Sequence, residues 1–153
     1  MGASQTSSPF AKFLNLGGKD KLLVLRAVAA LASARTELAR FSFQEVCARI
    51  TADESPSNAS VVEGEDAELL SRVSYAVSAA AKYVPFRSDC FPQCLAARTL
   101  LARHGLDSVI HLGVAREGAA DLDAHAWLTC GDTVVTGGSN LDRYTELHRF
   151  PDG

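Results

Sequence analysis

The spacing of apolar residues changes once along this chain, near Gly105, and that change limits the folds open to it. Upstream, Leu69, Leu70, Val73, Val77 and Ala80 recur at the three-to-four spacing of a helix face. Downstream, SVIHLGVARE and HAWLTC read as strands, and Gly131-Asp132 is a two-residue hairpin signal leading into a returning strand, TVVTGG. Helices come first and a small antiparallel sheet follows, which is an α+β architecture. No internal repeat is visible.

Within the helical part, residues 1 to 20 read as a loose arm, with Asp20 placed to cap a helix from Lys21 to about Arg40. FSFQEVCARI forms a short second helix, with Cys47 as a small core residue. Thr51 to Asp66 is a polar, acidic surface connection whose charges are read as a solvated face. A further helix spans Ala67 to Tyr83, stopped by Pro85, which also disfavours helix in the residue before it. Asp89 caps the next helix, Pro92 sits in its first turn and Gly105 ends it. Gly118 to Asp123 reads as a loop. The apolar run from 22 to 34 is interrupted by Arg26 and falls short of the ~20 residues a bilayer span needs, so it is expected to be a buried helix. With 153 residues the chain is expected to be one domain, with 1–66 as amino-terminal helices and acidic linker and 67–153 as the core that carries the chemistry.

A net charge of −3 gives no basic footprint, which argues against nucleic acid as a partner. The four cysteines, at 47, 90, 94 and 130, are too sparse for a disulfide framework, and no secretory signal is read ahead of them. Free thiols in a cytoplasmic setting are expected.

Cys90 falls in the first turn of its helix. There, helix-opening amides and the helix dipole favour thiolate over thiol and offer an oxyanion site. Buried structural cysteine is the competing reading of that residue taken alone. His125, opening a strand in the context AHAW, shifts the balance, because a strand-borne imidazole meeting a helix-borne thiol is the arrangement of papain-like enzymes. Zinc is the rival, with Cys90, Cys94, His125 and Cys130 as ligands. Strand alternation puts Cys130 on the opposite sheet face from His125, and Cys94 is better read as packing one turn below Cys90. No metal and no cofactor is therefore expected. His104, His111 and His148 have no partner identifiable from sequence.

The group that orients the imidazole is left open. Asp132 lies at the hairpin turn, about 20 Å along the strand from His125. A strict ladder places Gly138 opposite His125, and neither Gly137 nor Gly138 has a side chain to offer. Asn140 and Asp142 lie just beyond and are the candidates; Asp123 is a weaker one.

The stretch from Tyr83 to Gly138 resembles the lasso-peptide leader peptidases, the B-type maturation proteins with a transglutaminase-like core. The resemblance is carried by YVPFRSDCFPQCLAARTLLARHG, the strand containing HLGV, and AHAW with its hairpin. Cys90, Phe91, Pro92, Leu95, Leu100, Leu101 and Gly105 occupy the family's positions, and His125 matches its histidine. The resemblance implies amino-terminal helices packed on a papain-like, transglutaminase-like core. It also implies hydrolysis of the leader–core bond through an acyl-enzyme at Cys90, with His125 as general base and acid. The implied partners are the precursor's leader region and an ATP-using cyclase. The family's usual aspartate aligns with Gly137. The first 60 residues lack the alternating strands of a winged-helix recognition domain, so a separate protein of that type is expected to supply leader recognition. Two other classes stand beside this one: another thiol acyltransferase, transglutaminase-like or amidase-like, and a non-catalytic scaffold of the maturation complex.

Overall fold

The computed structural model describes residues 17–52, 64–85, 89–118 and 121–150. Residues 1–16 of the expected arm and 53–63 of the expected acidic connection lie outside them. Helix α1 spans Gly18–Arg40, α2 Phe43–Ala52, α3 Gly64–Tyr83 and α4 Cys90–Ala102. Strands β1 (Val109–Glu117), β2 (Asp121–Cys130), β3 (Thr133–Thr136) and β4 (Thr145–Phe150) form one antiparallel sheet, with a 3-10 turn at Leu141–Arg143 before β4. The α+β expectation holds: among the described residues, four helices accompany a four-stranded sheet in the order β3-β2-β1-β4.

The helices start and stop for local reasons. Gly17, not Asp20, holds the N-cap position of α1. Asp20 sits in the first turn, where a carboxylate favours the helix dipole, and accepts a 2.8 Å hydrogen bond from Arg72 Nε on α3. Helix α2 opens with a capping box that the sequence reading passed over. The Ser42 amide donates to Glu45 Oε2 at 2.8 Å, and the Glu45 amide donates to Ser42 Oγ at 3.3 Å. The Ser42 amide and the Ser42 hydroxyl, both donating to Glu45 Oε2, hold the Glu45 carboxyl below its usual value. Helix α3 begins at Gly64, three residues inside the stretch read as connection. After α4, Gly105 takes a left-handed φ of 74°, and the Leu106 amide closes back on Leu101 O at 3.1 Å.

Helix α4 is apolar on nearly all sides because it lies between the other helices and the sheet. It packs on α1, α3, β2 and β3, and Ala96, Ala97 and Leu101 are completely buried. Leu31 of α1, Val73 and Val77 of α3, Ile110 of β1 and Leu128 of β2 complete this core. Among the described residues, no helix is long and apolar enough to cross a membrane.

The sheet runs further than its sequence signals. Strand β2 begins at Asp121, so residues 121–123, expected as loop, pair with β1 from Glu117↔Asp121 onward. Strand β4, not anticipated, pairs with β1. In β3 the pairing slips by one residue: Thr129 faces Val134 but Leu128 faces Thr136, which leaves Val135 as a bulge. The chain must then pass from the β3 edge to the β4 edge, and it does so through residues 137–144.

Candidate active site

Alternation along β2 decides which side chains look where. Ala126, Leu128 and Cys130 enter the core beneath the helices. His125, Trp127 and Thr129 therefore stand on the other face. There the His111 ring lies parallel to Trp127, centroids 5.3 Å apart, between Glu146 Oε2 and Thr129 Oγ1, each 2.9 Å from a ring nitrogen. His111 thus has partners that the sequence did not reveal. Gly113, which pairs with His125 in the ladder, has no room for a side chain, since a Cβ there would lie 2.9 Å from the Trp127 ring.

Cys90 opens α4, with Asp89 at the N-cap in extended conformation. The amides of Cys90 and Phe91 have no carbonyl four residues back within the helix, Pro92 has no N–H, and the Gln93 amide is the first to bond back, to Asp89 O at 3.3 Å. One turn on, Cys94 Sγ lies 3.5 Å from Thr136 Oγ1, and Thr136 pairs with Leu128. The Arg98 guanidinium donates to Ser108 O at 2.9 Å, so α4 advances toward the hairpin end of the sheet. Going back from Cys94 to Cys90 covers about 6 Å of helix rise, or roughly two strand residues. Cys90 therefore lies toward the His125 end of β2 rather than its hairpin end.

At that end the segment after β3, not a strand, lies along β2, with residue 137 against Ala126. Among the described residues, β3 pairs with β2 only from Leu128 to Cys130, so no strand flanks β2 outside His125. Among the described residues, no hydrogen bond joins Cys90 Sγ to the His125 ring. Cys90 is partly exposed, whereas Cys47, Cys94 and Cys130 are buried. Burial pushes the Cys94 thiol up to about 12, against the opposing pull of its hydrogen bond to Thr136. Burial raises Cys47 and Cys130 too.

The imidazole is held from two sides. Nε2–H donates to the Gly137 carbonyl at 2.7 Å, and the Tyr144 ring stacks on it with centroids 4.7 Å apart. Tyr144 is fixed in turn by donating its hydroxyl to Asp123 Oδ2 at 2.6 Å. Neither Asn140, in left-handed conformation with φ 56°, nor Asp142 bonds to His125 among the described residues. The Gly138 register expected opposite His125 does not form either, because the bulge at Val135 shifts the ladder and β3 ends at Thr136. Among the described residues, no group of three or more His, Cys, Asp or Glu side chains is arranged to hold a metal ion. Cys94 and Cys130, two of the four zinc candidates, lie buried in the core cluster. Tyr144 escaped the sequence reading because an aromatic in a connecting segment carries no spacing signal.

Residues 28–149 match the family model of the transglutaminase-like superfamily. No curated protein and no solved structure matches the chain.

Proposed function

The chain belongs to the transglutaminase-like superfamily, and from that membership we propose that it is a cysteine peptidase that removes the leader of a lasso-peptide precursor. The superfamily includes cysteine peptidases and acyltransferases. The observation that carries the reading is Cys90 in the first turn of α4, the end of that helix directed away from the hairpin and so toward the His125 end of β2.

In this mechanism His125 takes the Cys90 proton, and the thiolate attacks the carbonyl carbon of the last leader residue. The amides of Cys90 and Phe91 stabilise the resulting oxyanion. The imidazolium then protonates the leaving amine, which is the new amino terminus of the core peptide. A leader thioester on Cys90 remains, and water, deprotonated by His125, hydrolyses it to the free leader carboxylate and restores the thiol. The freed amine suits the next step, condensation with an acidic side chain by an ATP-using cyclase. The setting proposed is the cytoplasm, with the precursor leader delivered by a separate winged-helix recognition protein. Such delivery raises the effective concentration of the scissile bond, so cleavage is expected to be weak without that partner.

The test is precursor cleavage followed by mass spectrometry, with the recognition protein present, for wild type and Cys90→Ala. Cleavage by wild type alone, at one leader–core junction, supports the proposal. Equal processing by both proteins, or by neither, rejects it in favour of a non-catalytic scaffold.

A further inference from the structure

We infer that the main-chain carbonyl of Gly137 is the group that positions His125, so that the imidazole works from Nδ1. Its catalytic consequence rests on the peptidase reading above; its structural content does not.

The chemistry of the hydrogen bond assigns the proton. A carbonyl oxygen only accepts, so the nitrogen 2.7 Å away must carry hydrogen. Neutral imidazole has one N–H, and with Nε2 protonated the lone pair lies on Nδ1. The base that receives the thiol proton is then Nδ1. Among the described residues, no side chain competes for Nε2. Asp123, two residues away on the same face, is occupied by the Tyr144 hydroxyl.

The backbone at Gly137 is built for this role. Its φ of 73° lies in the left-handed region, where side chains are disfavoured. A Cβ there would lie 2.4 Å from Ala126 O and 2.9 Å from Trp127 Cα, both main-chain atoms. Position 137 therefore excludes the carboxylate that the family resemblance places there. The same turn that excludes a side chain aims the carbonyl at the imidazole. An uncharged acceptor fixes the tautomer and ring orientation, as a carboxylate does, without adding a negative charge beside the imidazolium.

The experiment reads the tautomer directly. The full chain carrying Cys90→Ala, which leaves the imidazole no thiol to deprotonate, is labelled with 15N-histidine. It is studied at a pH about two units above the ordinary imidazole value of ~6.5. Two-bond 1H–15N correlation is expected to show His125 as a single Nε2–H tautomer, and Gly137→Ala in that background should shift it toward a mixture. An Nδ1–H tautomer, or an averaged mixture before Gly137 is changed, overturns the assignment, and this spectrum decides even if Gly137→Ala fails to fold. In otherwise wild-type protein, Gly137→Ala should lower kcat for precursor cleavage about tenfold or more with KM little changed. The Nε2–H tautomer in a chain that never cleaves precursor would end the peptidase proposal and leave the Gly137 assignment standing. Cleavage by a chain whose His125 is Nδ1–H would do the reverse.

Discussion

Tyr144 lies over His125 with ring centroids 4.7 Å apart, and its hydroxyl is anchored 2.6 Å from Asp123 Oδ2. Residue 144 arrives from the connection and residue 123 from β2, so this bond pins the crossing chain to the strand that carries the imidazole. Tyr144→Phe keeps the stack and loses the anchor; Tyr144→Ala loses both. An aromatic pair contributes about 1 kcal/mol beyond its burial, which is close to fivefold in rate if it acts only in the transition state. Precursor cleavage should fall less than ~fivefold for Tyr144→Phe and more than ~fivefold for Tyr144→Ala, effects of the size that single side-chain contacts produce. Equal rates for all three proteins would mean that the stack does not hold the imidazole in a productive orientation.

The four thiols should separate by burial. Thiolate is the reacting form, and burial pushes Cys94 up to about 12 and raises Cys47 and Cys130. Only Cys90 is partly exposed. Iodoacetamide at neutral pH should therefore modify Cys90 alone in the folded chain and all four thiols after denaturation, as read by peptide mass spectrometry. If Cys90 pairs with His125, His125→Ala should slow that labelling of Cys90 at neutral pH. Unchanged reactivity in the variant would show that the two groups do not meet.

Much of this arrangement was legible in the sequence because it rests on backbone rules. Asp89, Pro92 and Gly105 delimit α4, and Gly131-Asp132 marks the hairpin. Period-two alternation along β2 separates Cys130 from His125. Strand β4 was not legible. Five of its six residues are exposed and only Phe150 is buried, so no apolar alternation marks it. The partner of His125 was illegible for a different reason. A search for side chains cannot find a carbonyl, and the bulge at Val135 shifts the register on which the search relied. Nothing local in TVVTGG announces that bulge.

Acid should loosen the outer sheet edge. Burial alone would raise the Glu146 carboxyl, but hydrogen bonds and charge from His111 and Arg149 outweigh it and hold the group below its usual value. A carboxyl depressed in the folded state contributes stability above its unfolded value, near 4.3. That contribution is lost as pH falls through the folded value. Glu146 bonds His111 of β1 at 2.9 Å and Arg149 of its own strand at 2.8 Å, so the loss falls on the β1–β4 pairing. Amide exchange in β4 should accelerate below about pH 4, and Glu146→Gln should flatten that dependence. An unaltered pH profile in the variant would assign the acid sensitivity to other groups.

Restoring an aspartate at residue 137 should harm this chain. On the family pattern, Gly137→Asp returns a carboxylate beside the imidazole, and faster cleavage would be the simple expectation. The backbone argues otherwise. The substitution brings a Cβ to 2.4 Å from Ala126 O, a main-chain atom that cannot swing aside, at a φ of 73°. Aspartate tolerates left-handed backbone better than most residues, so the collision outweighs the conformational strain. Relief requires residue 137 to move, and the carbonyl then leaves His125. The variant should melt several degrees lower, at ~2–4 °C per kcal/mol for a chain of this size, and its cleavage rate should fall in step with loss of the Nε2–H tautomer. A Gly137→Asp protein with unchanged melting temperature and faster cleavage would show that a side chain at 137 can reach the imidazole, and that the carbonyl is dispensable.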